Sequence, residues 1–308
     1  MSAPDFLDPR PTERRNPRTV GVDVASSREI VELFNAEDRL VPPAVHAAAA
    51  SIAATIDLVT DALRGGGRLL YVGAGTSGRL GMLDASECPP TFGTPPDMVV
   101  GIIAGGPAAL MQSREGAEDD TAAGAAAMDA HAVSARDVVV GIAASGTTPY
   151  VRAALTRARQ LGAATALVTC ADAPADLAAT CHQVIAVRVG PEALTGSTRL
   201  KAGTATKMVL NMLTTGAMIR LGKTYGNLMV DLQALSAKLH DRGERIVMEV
   251  CGADRARARE ALAAAGGSVK LAIVMMRRGV DAATGRRLLD DAGGVIRRVI
   301  GDPPPVTP

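Results

Sequence analysis

Tryptophan is absent from this 308-residue chain, and aromatic residues make up only 2% of it. Proteins that bind single-stranded nucleic acids stack the bases on aromatic side chains, and that platform is missing here. Lys and Arg number 33 against 32 Asp and Glu, so no long-range field attracts a polyanion or an anionic membrane. We therefore expect neither nucleic acid nor membrane as a partner, and favour a small ligand held by hydrogen bonds.

Other markers of function are equally scarce. The four cysteines have no CxxC spacing and are too few for a disulfide scaffold. Residues 1–17 lack the apolar core of a signal peptide, and no uncharged run approaches the roughly 20 residues that a membrane span needs. The four histidines are scattered without a spaced partner. We expect reduced thiols, a cytoplasmic location, no metal site and no cofactor.

Apolar spacing predicts helices that alternate with short buried strands. A capping-box pattern at Ser26 and Glu29 predicts a first helix, and residues 44–63 have apolar positions at helical spacing. Short continuous apolar runs predict strands at residues 68–72, 98–104, 137–142, 166–169 and 184–189. Helical stretches between them include residues 108–131 and 150–161. This alternation predicts an α/β fold, with a doubly wound parallel five-stranded sheet sandwiched by helices.

The same patterns predict where the domains end. Residues 1–64 are expected to form an N-terminal tail and helices that pack on the core or on a second subunit. Residues 65–230 hold the strands and form the α/β domain, and residues 231–300 read as a small all-helical C-terminal domain. Residues 302–308 contain four prolines and no periodic apolar positions, so residues 301–308 are predicted to be a disordered tail.

A glycine-rich segment follows the first predicted strand. Residues 73–78 satisfy the GxGxxG spacing of dinucleotide-binding folds. Such a site also needs an acidic residue after the second strand, whereas that strand ends in Ala104-Gly105-Gly106. Backbone N–H groups at a helix start, with the hydroxyls of Thr76 and Ser77, suit a phosphate monoester better. A plain strand-to-helix turn is the structural alternative.

A second hydroxyl-bearing segment follows the third strand. Residues 143–148 include Ser145, Gly146, Thr147 and Thr148 and lead into a helix at Pro149. Loops at the carboxyl ends of parallel strands converge on one crevice. The two loops together predict a sugar-phosphate site.

Glutamates near these loops are candidates for acid and base catalysis. Glu87 lies where Pro89 and Pro90 are expected to end a helix. Glu115 and Glu118 lie three residues apart, on one face of the predicted helix 108–131. Two glutamates on opposite sides of a sugar can divide the roles of acid and base, although acidic clusters are more often solvated surface.

Residues 70–80 with residues 84–91 resemble the signature of N-acetylmuramic acid 6-phosphate etherases. The resemblance extends from about residue 12 to about residue 300. It continues through residues 100–106, 115–119, 141–146, 194–205 and 225–231. It implies a sugar-isomerase (SIS) fold, a homodimer, and no metal or organic cofactor. It also implies cleavage of the D-lactyl ether of N-acetylmuramic acid 6-phosphate, with water, to N-acetylglucosamine 6-phosphate and D-lactate during recycling of cell-wall sugars.

The resemblance also implies roles for individual residues. Glu87 corresponds to the acid that protonates the departing lactate oxygen, and Glu118 to a second catalytic glutamate, the base. Glu192 and Lys201 are neighbours of the site or ordinary helix-end charges. The residues expected to contact the substrate and its phosphate are Gly75, Thr76, Ser77, Ser145, Gly146, Thr148 and Glu192.

One position departs from the family pattern. Thr147 stands where many members carry Arg, so a cationic contact is missing there. Two other functions are compatible with the same fold: a regulatory protein that binds a sugar phosphate without converting it, and a sugar-phosphate isomerase. The two glutamates favour chemistry over sensing, and the block from Glu87 to Pro90 favours the etherase.

Overall fold

The computed structural model describes residues 10–232 and 237–305. These residues fall into two compact units. The first comprises Met1–Ser86 and Asp97–Thr214, and the second comprises Glu87–Pro96 and Thr215–Pro308. The domain limits expected from the sequence stay a prediction.

Parallel strands form the centre of the first unit. The described strands are β1 (Leu69–Gly73), β2 (Val99–Ile103), β3 (Val138–Ile142), β4 (Ala164–Thr169) and β5 (Gln183–Ala186). They form one parallel sheet in the order β2-β1-β3-β4-β5. Every residue of β1 and β3 is buried, as expected for strands covered on both faces. The predicted α/β class, with a five-stranded parallel sheet flanked by helices and a helical C-terminal region, is confirmed.

Helices cover the sheet of the first unit. They are α1 (Ser27–Asp38), α2 (Val41–Ala47), α3 (Ala49–Arg64), α4 (Gly75–Phe92), α5 (Thr121–Ala130), α6 (Pro149–Gln160), α7 (Ala175–Thr180) and α8 (Lys201–Arg220). The capping box at Ser26 and Glu29 is present at the start of α1. Leu70 and Val72 pack with Leu155 of α6 in the apolar core on one face of the sheet. On β1, Tyr71 alternates with these two residues and donates to Leu210 O of α8 at 3.4 Å.

Two helix predictions were wrong in extent. α4 does not stop before Pro89 and Pro90 but continues to Phe92, where the Gly93 N–H donates to Pro89 O at 2.9 Å. Both prolines lack an N–H donor, yet Pro89 still supplies a carbonyl acceptor to the last turn. Residues 108–131 are not one helix, because a short 3-10 helix (Pro107–Leu110) is followed by turns up to Asp120. Asp120 caps α5 by accepting from Ala123 N at 2.8 Å.

The second unit has an apolar core of its own. It contains α9 (Ala237–Cys251), α10 (Arg255–Ala264), α11 (Val269–Arg278), α12 (Ala282–Asp291) and α13 (Ile296–Ile300). A hairpin of β6 (Thr224–Tyr225) and β7 (Leu228–Met229), which the sequence did not predict, precedes them. Val247 and Ile273 are fully or almost fully buried in this core. Of the predicted tail, residues 301–305 have no regular secondary structure, and residues 306–308 lie outside the described residues.

No single described helix has the length and apolar character needed to cross a membrane. Only α1–α2 taken with α3, which meet at a 61° bend, reach that length and composition as a pair.

A buried ion pair fixes the N-terminal part of the first unit. Lys201 Nζ lies 2.6 Å from Glu37 Oε2, and the two side chains are 1% and 3% exposed. Arg18 Nη2 donates to the same carboxylate at 2.9 Å. Hydrogen bonding from Arg18 is the largest of the effects that lower the pKa of Glu37 from its ordinary 4.5 to about 2, against the opposing effect of burial.

Glu37→Gln is expected to lower the free energy of unfolding by about 3 kcal/mol at neutral pH, since it leaves Lys201 buried without its counter-charge. Because the folded pKa lies below the unfolded value, the stabilisation is complete above pH 4.5 and fades as the pH falls toward 2. Urea unfolding of wild type and variant from pH 3 to 7 measures this. A difference between the two proteins that does not shrink at the acid end would contradict the assignment.

Candidate functional site

The strand order places two loops side by side. β1 lies between β2 and β3. The connection from β1 to β2 therefore runs to one side of β1, and the connection from β2 to β3 returns to its other side. Gly73 at the end of β1 pairs with Ile142 at the end of β3. In open α/β sheets, ligands bind outside the carboxyl ends of the strands at this switch point. The loops after β1 and β3 therefore share the edge where a ligand is expected.

The loop after β1 is tightly closed on the start of α4. A Cβ on Gly73 would lie 2.7 Å from Gly78 N, and one on Gly78 would lie 2.8 Å from Gly73 O, so neither position accepts a larger residue. Gly75 begins α4 with φ +52°. Thr76 and Ser77 are half-buried. The first turn of a helix has backbone N–H groups without intrahelical acceptors, which suits an anion.

The loop after β3 is held by its own hydroxyls. Ser145 Oγ lies 2.8 Å from Thr147 Oγ1 and also accepts from Thr147 N at 3.3 Å. Gly146 is buried with φ +72°, and a Cβ there would approach Thr169 Oγ1 to 3.2 Å. Thr148 precedes α6 and makes no side-chain capping bond. Thr147 therefore positions Ser145 in this chain.

Glu118 and the β1 loop line one cavity. The cavity has a volume of about 240 Å³, and its lining includes Gly75, Arg79, Arg114, Glu115 and Glu118. Glu118 is exposed and lies in a turn rather than on a helix. The structure thus brings together two parts of the site that lie some forty positions apart in sequence.

Backbone contacts hold Glu118 in place. Its carbonyl oxygen accepts from the Tyr150 N–H at 2.9 Å, which ties the Glu118 turn to α6, next to the β3 loop. A Cβ on Gly124 of α5 would lie 2.3 Å from the carbonyl oxygen of Tyr150. α5 and α6 approach this closely only because position 124 has no side chain.

Glu87 lies on α4 with an exposed side chain, in the segment that belongs to the second unit. Asp84 lies one turn earlier on the same helix. The catalytic role of Glu87 stays a prediction.

Asp84 is a buried residue to which the sequence assigned no role. Its carboxylate accepts from Asn211 Nδ2 at 2.6 Å, Tyr71 Oη at 3.0 Å and Thr214 Oγ1 at 3.3 Å. Burial raises the pKa of Asp84, and the hydrogen bonds from Asn211, Tyr71 and Thr214 act in the opposite direction. The network joins α4 to β1 and α8, and so fixes the helix that starts at the β1 loop.

Glu192 is fully buried and does not line the cavity that holds Glu118. Its two oxygens accept from the backbone N–H groups of Lys201 and Ala202, both at 2.9 Å. Burial raises the pKa of Glu192 despite these two donors. The contacts are those of a cap on α8, and the side chain of Lys201 is bound to Glu37.

Arg79 also went unnoticed in the sequence. Its guanidinium donates to Ala109 O at 2.8 Å and to Leu110 O at 3.0 Å. These bonds hold the 3-10 helix from which the Glu118 turn departs.

None of Cys88, Cys170, Cys181 and Cys251 is in a disulfide. Within residues 10–232 and 237–305, no group of three or more His, Cys, Asp or Glu side chains is arranged to hold a metal ion.

Family models define the class of protein. Residues 114–216 match the SIS domain, and residues 51–159 match the model described as "Glucokinase regulatory protein N-terminal SIS domain". A phosphoheptose isomerase from Francisella tularensis has the same fold, with a TM-score of 0.50 at 17% identity, over 63% of this chain and 99% of that chain. The first unit is therefore an SIS-type α/β fold.

Curated relatives define the family. An N-acetylmuramic acid 6-phosphate etherase of Serratia proteamaculans is 55% identical over 290 residues, which is 94% of this chain and 97% of that protein. The enzyme of the same name from Pectobacterium atrosepticum is 54% identical over 88% of this chain and 90% of its own length. The chain belongs to the N-acetylmuramic acid 6-phosphate etherase family, as the resemblance predicted.

Proposed function

We propose that the protein cleaves the D-lactyl ether of N-acetylmuramic acid 6-phosphate with water, giving N-acetylglucosamine 6-phosphate and D-lactate. The observation that carries the proposal is the 55% identity to the Serratia etherase over nearly its whole length. The cavity shared by Glu118 and Gly75 supports it, because it sets a carboxylate beside a loop suited to a phosphate.

The proposed reaction is an elimination followed by a hydration. Once the sugar ring is open, the aldehyde at carbon 1 acidifies the proton on carbon 2. Glu118 removes that proton, the bond from carbon 3 to the ether oxygen breaks, and Glu87 protonates the departing lactate oxygen. Water then adds to carbon 3 of the unsaturated aldehyde: Glu87 takes a proton from the water as its oxygen bonds to carbon 3, and Glu118 returns a proton to carbon 2, which restores both glutamates. No electrons are gained or lost overall, so the proposal includes no redox cofactor.

Substrate placement supplies much of the rate in such a reaction, because a held reactant has already lost its freedom of motion. We assign phosphate binding to the hydroxyls of Thr76, Ser77, Ser145 and Thr148 and to the backbone at Gly75 and Gly146. Glu192 is assigned an indirect role, since it caps the helix α8.

Assembly and location belong to the same proposal. We infer a homodimer from the apolar surface around α1, where Val24, Val31 and Leu40 are 84%, 59% and 43% exposed, because a second subunit would bury such side chains. A monomer in sedimentation equilibrium at micromolar concentration would contradict this. We also infer a cytoplasmic enzyme of cell-wall sugar recycling, which cell fractionation and growth on the muramic sugar would test.

Incubation of the purified protein with N-acetylmuramic acid 6-phosphate is expected to release D-lactate and N-acetylglucosamine 6-phosphate in equal amounts. With the reaction run in ¹⁸O-labelled water, the label is expected at carbon 3 of the sugar, because elimination removes the ether oxygen with the lactate. Binding without release would favour a regulatory protein, and release with the label in lactate would contradict the elimination.

A further inference from the structure

The proposed substrate carries two anionic groups, and the loops assigned to the phosphate contain no cation. Residues 73–78 and 143–148 include neither Lys nor Arg. Their hydroxyls and backbone N–H groups suit a tetrahedral phosphate. A carboxylate is best recognised by the planar fork of a guanidinium, which donates two parallel hydrogen bonds.

Two arginines line the cavity that holds Glu118, and they differ in how they are engaged. Arg79 is bound to the carbonyls of Ala109 and Leu110. The side chain of Arg114 makes no hydrogen bond or ion pair with any part of the chain that the structure describes, including Glu115 and Glu118 in the same cavity. Of the two arginines that line this cavity, Arg114 is therefore the one whose guanidinium N–H groups have no acceptor among the described residues.

The backbone at Gly105 places the stem of Arg114. A Cβ on Gly105 would lie 3.1 Å from Cδ and 3.3 Å from Cβ of Arg114. Gly105 has φ +82°, so the turn after β2 has a conformation that favours glycine and presents bare backbone to the arginine stem. The stem of Arg114 thus lies against this backbone, and the residue is exposed and lines the cavity.

We propose that Arg114 binds the carboxylate of the lactyl group and so determines specificity for the ether substrate. This inference rests on the proposed function. Carbon 2, whose proton Glu118 removes, is bonded to carbon 3, which carries the lactyl ether, whereas the phosphate lies at carbon 6. A cation that recognises the lactyl carboxylate must accordingly lie in the same cavity as the base, where Arg114 lies.

The test compares two ligands that differ only in the lactyl group. Binding of N-acetylmuramic acid 6-phosphate is measured by calorimetry on Glu118→Gln, which slows turnover by the largest factor expected here, and on Glu118→Gln with Arg114→Gln. N-acetylglucosamine 6-phosphate is measured on the same proteins. Loss of a hydrogen-bonded charge pair is expected to weaken binding of the muramic sugar by about 10- to 100-fold, with less than about a twofold change for the glucosamine sugar. With Arg114→Lys, the affinity for the muramic sugar is expected to lie between those of the Arg114 and Arg114→Gln proteins, because lysine keeps the charge but lacks the planar guanidinium.

Arg136→Gln is the matched control. Arg136 is exposed and lies two residues before β3, at the amino end of that strand, whereas the loops of the candidate site follow the carboxyl ends of the strands. Equal weakening for both sugars, or no weakening for the muramic sugar, overturns the role of Arg114. A wild type that releases no D-lactate and binds neither sugar refutes the proposed function itself. Release that persists in Arg114→Gln with an unchanged KM refutes only the inference.

Discussion

Glu118→Gln is expected to lower kcat for D-lactate release by about 100- to 10,000-fold, the range typical when a general base is removed. The amide has nearly the shape of the carboxylate but takes up no proton from carbon 2. Because the turn is held through the carbonyl of Glu118 and the Tyr150 N–H, the substitution leaves the anchoring bond in place. KM is therefore expected to change by only a few-fold. Initial rates over a range of substrate concentrations measure both constants.

Asp119→Asn is the matched control, because Asp119 is exposed in the same turn and does not line the cavity. Its kcat is expected to stay within a few-fold of wild type. Glu87→Gln is expected to lose activity on the same scale as Glu118→Gln, and to lose less with a synthetic ether whose leaving group needs no proton. A Glu118→Gln protein that keeps more than a tenth of the wild-type kcat would rule out Glu118 as the base.

Gly124→Ala is expected to displace Glu118 indirectly, through a clash between α5 and α6. The new methyl group would lie 2.3 Å from the carbonyl oxygen of Tyr150, so α5 and α6 must separate. Overpacking of this kind destabilises by about 1–3 kcal/mol, which outweighs the gain of up to about 1 kcal/mol that alanine brings to a helix. The shift moves the Tyr150 N–H that holds Glu118, and a displacement of about 1 Å can lower a rate about 100-fold. Thermal unfolding and kcat measure the two effects.

Gly65→Ala provides the comparison. Gly65 follows α3, has φ −77°, and a Cβ there would meet only ordinary contacts at 3.4 Å. Stability and kcat are expected to change little. If Gly124→Ala behaves like Gly65→Ala in both measurements, the close approach of α5 to α6 does not position Glu118.

The strands were predictable because their residues are buried on both faces. Such strands read as continuous apolar runs, and the predicted ends of β1 and β3 differ from the observed ones by at most one residue. The ends of helices were harder to predict from the sequence. Pro89 and Pro90 predicted an early end of α4, yet the last turn uses the carbonyl of Pro89 as an acceptor and does not depend on the N–H groups that the prolines lack. The turn at Glu118 was read as helix because the sequence does not show that Asp120 caps α5.

The site was predictable where neighbours in sequence are neighbours in space. The loops after β1 and β3 each lie within six residues, and strand order brings them to one edge. Asp84 shows the opposite case, because its partners Asn211 and Thr214 lie 127 and 130 residues away. The position of the Arg79 side chain depends on the backbone carbonyls of Ala109 and Leu110, and that of Arg114 on the absence of a side chain at Gly105. Neither kind of contact produces a recognisable sequence pattern.

The N-terminal residues of the first unit are fixed by parts of the chain made much later. Asn16 Nδ2 donates to Pro191 O and Thr19 Oγ1 to Ala193 O, across 175 and 174 residues, and Glu37 reaches Lys201 across 164. During synthesis the bonds of Asn16 and Thr19 cannot form before Pro191 and Ala193 have been made, nor the bond of Glu37 before Lys201. Residues 16–37 are therefore among the last of their unit to become ordered. Contacts this distant in sequence also slow refolding. A chaperone that holds the emerging chain would therefore find Glu37 without its partner, its carboxylate in water, until the start of α8 has been made.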